Sequence, residues 1–348
     1  MMKYVLLGKS GLRVSEISLG CMTFGTEWGY GNDREGSFEL FNAYREQGGN
    51  FFDTANRYTE GISEVWLGDF IRASHSRNES VIATKYALYD QNGRINDGGN
   101  HRKNLVQSLH ASLKRLGTDY VDLLYVHAWD FTIAPEEMMR QLAYLVQDGK
   151  VLHIAISDTP AWVVSRCNTI AELRAWPSFS CFQAEYSLIT RDVEREILPL
   201  CAQDQMPLIA WGPLGGGALT GKYLKPETAL GRVPENSKRR SPKSIQIAEK
   251  VVQISEEMNV KPAAVALRWL LQTYTRVIPV VGAKNASQLK ESLQACYFSL
   301  SDQAMDELNA VSHIDIGWPH DFLTSETVAR VLHGGLAQRI DLPVLKQK

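Results

Sequence analysis

Val81-Ile82-Ala83-Thr84-Lys85, then an amphipathic stretch over residues 104–116 stopped by Gly117, then Leu123-Leu124-Tyr125-Val126-His127: this order of strand, helix and strand decides the fold. Each apolar run is short enough for one strand and gives way to a polar residue, Lys85 in the first and His127 in the second. Six further runs of the same kind lie outward from this unit, at residues 17–19, 50–52, 154–156, 181–183, 208–210 and 277–280. Helical periodicity fills gaps between them, as at 34–48, 135–149 and 262–272, with Gly48 and Gly149 as stops. Eight repeats predict an α/β fold of the (β/α)8 TIM-barrel type.

Residues 4–7 and 12–14 flank the turn Gly8-Lys9-Ser10-Gly11 and predict an N-terminal β-hairpin placed to plug the barrel floor. Beyond the eighth unit, residues 302–313 read as a helix. Residues 317–348 read as an irregular tail with a short helix at 326–332, a C-terminal extension able to lie across the barrel mouth. Residues 212–244 are rich in Gly, Pro, Lys and Arg and too long for a plain connection, which marks a functional loop, not a domain boundary. Residues 1–348 are thus expected to form a single barrel domain.

A hydrophobic share of 44%, a charged share of 22% and a net charge of −2 suit a globular protein with no general attraction for nucleic acid or anionic membrane. Small molecules are the expected partners, and both a monomer and a homo-oligomer stay open. The run Lys238-Arg239-Arg240 beside Pro242 reads as a solvated loop. Residues 1–11 lack the apolar core of a signal peptide, and no stretch is apolar for about 18 residues, the length that would span a bilayer. The five cysteines are scattered without a CxxC pair. Both features point to a cytoplasmic protein with reduced thiols.

In such a barrel the chemistry sits at the carboxyl ends of the strands, so the first polar residues after each run matter most. They are Asp53, with Tyr58 five residues on, then Lys85, His127, Ser157-Asp158, Gln183 and Trp211. Singly, an aspartate there is often a helix cap, a lysine faces solvent and a histidine is a satisfied core residue. Together, Asp, Tyr, Lys and His form a proton-donor assembly. Hydride added to a carbonyl carbon leaves charge on oxygen, and Tyr58 can supply the proton. Lys85 would lower the phenol pKa, Asp53 would balance Lys85, and His127 would direct the substrate oxygen.

Asp53-Thr54-Ala55-Asn56-Arg57-Tyr58, Lys85 after Val81-Ile82-Ala83-Thr84 and His127 after Leu123-Leu124-Tyr125-Val126 resemble the catalytic tetrad of the aldo-keto reductase superfamily. The likeness begins at Leu7-Gly8-Lys9-Ser10-Gly11 and reaches Ile278-Pro279-Val280-Val281-Gly282-Ala283-Lys284. His127-Ala128-Trp129-Asp130 and Ser157-Asp158-Thr159-Pro160-Ala161-Trp162 resemble its aryl-alcohol dehydrogenase branch. The resemblance implies reduction of an aldehyde or ketone by NADPH, with alcohol oxidation by NADP+ as the reverse.

By the same resemblance, Gly20, Cys21 and Met22 would meet the nicotinamide ribose, and Ser157, Asp158 and Gln183 its carboxamide. Most members of the superfamily carry Asn where Asp158 stands, and a carboxylate accepts a hydrogen bond but cannot donate one. Trp211 would stack on the ring. Gly212, Pro213, Leu214, Gly215 and Gly216 would cover the pyrophosphate, with Lys222 and Arg232 as anion anchors. Gly282, Lys284, Gln288, Glu291 and Ser292 would hold the adenosine end, Lys284 reaching the 2′-phosphate. Trp28, Tyr30, Tyr86, Trp129 and Trp318 supply aromatic rings for a substrate wall, with Tyr58 and His127 touching the substrate.

Gly215-Gly216-Gly217-Ala218-Leu219-Thr220-Gly221 has the wrong spacing and context for a Rossmann fingerprint, Gly8-Lys9-Ser10 lacks the earlier glycine of a P-loop, and the histidines lack metal spacing. Two function classes follow: a catalytic carbonyl reductase, and a nucleotide-binding redox sensor or regulatory subunit with little turnover. The complete tetrad favours catalysis.

Overall fold

The hairpin forms first in the chain, from β1 (Tyr4–Leu6) and β2 (Arg13–Ser15), paired antiparallel with Tyr4 opposite Ser15. The computed structural model describes residues 2–90, 93–224, 233–273, 276–336 and 339–340. Eight parallel strands then close a barrel in chain order: β3 (Ser18–Gly20), β4 (Phe51–Asp53), β5 (Val81–Tyr86), β6 (Val121–Val126), β7 (Val151–Ser157), β8 (Phe182–Glu185), β9 (Leu208–Trp211) and β10 (Val277–Val281), which pairs back onto β3. All eight sequence-predicted runs lie in or against these strands.

Between strands run α1 (Arg34–Glu46), α2 (Ile62–Ala73), α3 (Arg102–Leu116), α4 (Pro135–Gln147), α5 (Ala161–Arg174) and α6 (Ile197–Asp204). Both α7 (Pro242–Glu257) and α8 (Pro262–Leu271) precede β10; α9 (Ala286–Leu293) and α10 (Asp302–Val311) follow it. Local chemistry sets their ends. Asp33 accepts from Gly36 N to cap α1, Pro135 opens α4, and left-handed Gly117 closes α3.

Strand pleating sorts the barrel into two apolar layers. Phe51, Val81, Ala83, Leu123, Tyr125, Ala155, Cys181, Ile209 and Ile278 face inward and share one buried cluster with Val5, Leu7 and Val14, so the hairpin does plug the floor. Their neighbours Phe52, Ile82, Leu124, Ile154, Phe182 and Leu208 face outward into the layer under the helices. Two residues beyond Phe51, Ala83, Tyr125, Ala155, Cys181 and Ile209 come Asp53, Lys85, His127, Ser157, Gln183 and Trp211. The same pleat aims these six into the carboxyl end of the barrel.

Among its described residues, the segment expected to be loop over 212–244 forms 3-10 turns at Gly215–Thr220 and Lys238–Arg240. Its last residues already belong to α7, which Ser241 caps and Pro242 opens. The tail carries two short helices, α11 (His320–Leu323) and α12 (Glu326–Leu332). It docks through His320 to Glu196 at 2.9 Å and through the Asp315 carbonyl to Arg195 at 2.8 Å, beside the loop after β8. Trp318 is 84% exposed there, on the surface of the tail and not in a substrate wall. Among the described residues no helix is long and apolar enough to cross a membrane.

One close helix contact tests this packing. A Cβ on Gly68 of α2 would come 2.2 Å from the Leu116 carbonyl oxygen at the end of α3. Alanine favours a helix interior by about 1 kcal/mol over glycine, but the clash costs typically about 1–3 kcal/mol. Gly68→Ala is therefore expected to lower stability in urea unfolding; a stabilised variant would refute the close approach.

Candidate active site

Lys85 anchors the site. It is fully buried, and its ammonium has three protons to place. Asp53 Oδ1 takes one at 2.5 Å, the Thr54 carbonyl another at 2.9 Å and the Tyr58 hydroxyl the third at 3.2 Å. The second Asp53 oxygen accepts from Gln183 Nε2 at 2.7 Å. Each ammonium proton and each carboxylate oxygen of the buried pair thus has a partner, which is the condition for a buried charge to be tolerated.

Tyr58 is held by an unusual turn. Thr59, Glu60 and Gly61 all adopt left-handed backbone, at φ 46°, 55° and 88°. For the two non-glycine residues that conformation costs on the order of 1–3 kcal/mol each. Thr59 Oγ1 donates to the Phe24 carbonyl at 2.6 Å and accepts from Ser63 N, which ties the turn to the loop after β3 and to α2. Arg57 lies over the rings of Trp28 at 5.5 Å and Tyr89 at 4.6 Å and forms an ion pair with Glu60. Trp28 Nε1 donates to Glu60 at 3.1 Å, and its ring meets Tyr58 edge-on at 6.2 Å.

His127 packs edge-on against Tyr58 with ring centroids 5.9 Å apart. Its loop is locked by Asn100 and Asp130, each backbone N–H donating to the other's side chain at 2.7 and 2.8 Å. Sequence reasoning did not single out this clamp, whose partners stand 30 residues apart.

Electrostatics assigns protonation states. Burial pulls the Lys85 ammonium down, but Asp53 and Tyr58 outweigh it, so its pKa lies above the ordinary value and the charge persists. Burial, aided by Lys85, holds His127 well below the usual imidazole range, which leaves it neutral at neutral pH. For Tyr58 the sequence predicted a lowered phenol. Lys85 does pull downward, but burial pushes harder and Asp53 works with it, so the phenol lies above its ordinary value. The proton is held firmly, not loosened.

Around this centre, Ser157 Oγ is buried without a hydrogen-bond partner, and Asp158 Oδ1 accepts from Trp211 Nε1 at 3.0 Å. Gly212, Gly215, Gly216 and Gly217 are all left-handed. A Cβ on Gly217 would come 2.7 Å from Lys222 Nζ, and one on Gly216 would come 3.3 Å from an Arg239 guanidinium nitrogen. Two cations therefore border the turn that contains Pro213 and Leu214. Lys222 was expected. Arg239, read from sequence as part of a solvated loop, is instead half-buried and bonded to Glu185 at 2.6 Å. Arg232 lies outside the described residues.

At the junction of β3 and β10, Gly20 and Gly282 run side by side, a Cβ on Gly282 falling 3.7 Å from the Gly20 carbonyl. Met22 is half-buried, but the Cys21 thiol is fully buried in the apolar layer, donating to the Leu19 carbonyl at 3.7 Å. Lys284 is exposed, and its backbone N–H occupies the Gln288 side-chain oxygen at 3.1 Å. Glu291 turns toward Lys261 at 3.5 Å, while Ser292 is buried.

Tyr86 does not reach the mouth. Lys85 points inward, so its neighbour points outward, and the Tyr86 ring is fully buried in the outer apolar layer. Trp129 is also largely buried, its ring beside exposed Phe131. The aromatic surface around Tyr58 comes instead from Trp28, with Tyr30 against it at 6.2 Å, and from Tyr89, which sequence reasoning passed over.

A profile of the Aldo/keto reductase family matches residues 16–313. The chain is 38% identical over 327 residues to a norsolorinic acid reductase of Aspergillus flavus, covering 92% of this chain and 83% of that one. It is 35% identical over 329 residues to an aryl-alcohol dehydrogenase (NADP(+)) of Phanerodontia chrysosporium, covering 89% and 86%. Because the family match takes in every barrel strand from β3 to β10, the chain belongs to the aldo/keto reductase family and is an oxidoreductase similar to the aryl-alcohol dehydrogenases within it.

Proposed function

We propose that this enzyme reduces an aromatic aldehyde or ketone with NADPH in the cytoplasm, and that Tyr58 gives the proton. The observation that carries the reading is the Tyr58 hydroxyl on the buried Lys85 ammonium at 3.2 Å, beside neutral His127. The names of the similar proteins and the aromatic surface formed by Trp28, Tyr30 and Tyr89 support the substrate class.

A bound reduced nicotinamide would supply the hydride. The residues present fit that group: Ser157 Oγ is a buried polar atom in want of a partner, and the Lys222 and Arg239 cations border the left-handed glycine turn. Trp211, Gln183 and Ser157 would hold the nicotinamide end, Lys222 and Arg239 the pyrophosphate, and exposed Lys284 the 2′-phosphate. His127 hydrogen-bonds the substrate oxygen and turns it toward Tyr58. Tyr58 releases its proton to that oxygen, and the Lys85 charge stabilises the phenolate left behind. Asp53 keeps Lys85 in place.

Tyr58→Phe should retain NADPH binding while losing carbonyl reduction by about 10²-fold or more. Near-native turnover with an aromatic aldehyde would remove Tyr58 from the role. Lys284→Glu should raise the KM for NADPH and leave that for NADH nearly unchanged. An equal change in both would show that Lys284 does not read the phosphate.

The pH dependence follows from the raised phenol. Reduction needs the protonated form, so it should persist through neutral pH and fade only above the ordinary tyrosine value of about 10; oxidation of the alcohol should strengthen there. Lys85→Met removes the downward pull and should move the crossover to still higher pH. Asp53→Asn should move it lower while Lys85 stays charged. A deuterated nicotinamide that slows turnover would establish that hydride transfer limits the rate. With that effect present, superimposable wild-type and Lys85→Met profiles would exclude Lys85 from the mechanism.

A further inference from the structure

We infer that the Asp158 carboxylate is a fixed negative charge that favours the oxidised nicotinamide over the reduced one. The inference rests on the cofactor reading above and extends it to a residue that departs from the usual asparagine.

Geometry sets the charge in place. Asp158 follows β7 with a left-handed backbone, φ 41°, and its N–H donates to the Gln183 carbonyl at 3.1 Å. Oδ1 accepts from the Trp211 indole at 3.0 Å. That hydrogen bond orients the carboxylate without pairing it to a cation, because an indole N–H is neutral. Three carboxylates at this end of the barrel do have a cation: Asp53 has Lys85, Glu60 has Arg57 and Glu185 has Arg239. Among the described residues no ion pair reaches Asp158, whose side chain is open at the mouth.

The chemistry makes that charge selective. Carbonyl reduction moves a hydride from the reduced ring to the carbonyl carbon and a proton from Tyr58 to the oxygen. The neutral reduced ring thereby becomes a cation. A carboxylate hydrogen-bonded to the residue on which the ring would stack attracts only the oxidised form. One unpaired charge beside a partly wet cleft shifts such an equilibrium on the order of tenfold. An asparagine at the same position would bind both forms alike. The consequence is an internal equilibrium that leans toward the alcohol, together with tighter retention of NADP+ than of NADPH.

The test is an equilibrium titration of the full chain with NADP+ and with NADPH, read by tryptophan fluorescence, for wild type, Asp158→Asn and Asp158→Ala. Asparagine accepts from the indole as aspartate does and tolerates left-handed backbone, so Asp158→Asn should keep the fold and lose only the charge. The ratio Kd(NADP+)/Kd(NADPH) should rise about tenfold in Asp158→Asn. Asp158→Ala should show the same change in ratio with weaker binding of both forms. Binding of both cofactors with an unchanged ratio in Asp158→Asn overturns the inference alone. A wild type that binds neither overturns the cofactor reading and this inference with it.

Discussion

Everything at the mouth of the barrel depends on one buried ammonium finding three acceptors. Lys85 has no contact with solvent, and a charge in such a place is tolerated only when each proton has a partner. Asp53, the Thr54 carbonyl and Tyr58 meet that demand, and Gln183 completes it by occupying the remaining Asp53 oxygen. The requirement spans three strand ends and one turn, so it fixes where β4, β5 and β8 stop relative to one another. It also brings the phenol to the charge.

The turn that carries Tyr58 shows where rigidity comes from. Thr59 and Glu60 are strained, and the strain is countered by Arg57 beside the turn and by partners well beyond it: Thr59 bonds to Phe24, and Glu60 to Trp28. Geometry at the Tyr58 hydroxyl therefore depends on residues in the loop after β3. A reader of the sequence sees Trp28 as a ring for substrate; in the fold it is a brace for the turn that carries Tyr58.

Much of the barrel was legible because period-two alternation and strand length are local signals. The inward row Asp53, Lys85, His127, Ser157, Gln183 and Trp211 follows from them. Applied one residue further, the same parity would have turned Tyr86 away from the mouth, since consecutive strand residues face opposite sides. Arg239 was illegible for a different reason. Its partner Glu185 is 54 residues away, and nothing local distinguishes a paired arginine from a solvated one. The direction of the Tyr58 shift was hidden as well, because burial outweighs the neighbouring charge and burial is a property of the folded chain. The start of α7 was missed by the loop reading over 212–244, although Ser241-Pro242 carries a local capping signal for it.

The hairpin at the floor has a consequence for traffic. With Val5, Leu7 and Val14 packed against Phe51, Val81 and Leu123, the barrel is a vessel stoppered with hydrocarbon at one end. That hydrocarbon layer stands between the floor and the row of polar side chains at the carboxyl end. Among the described residues the way in lies at the opposite end, so two ligands seated there at different depths have to queue: the deeper enters first and departs last.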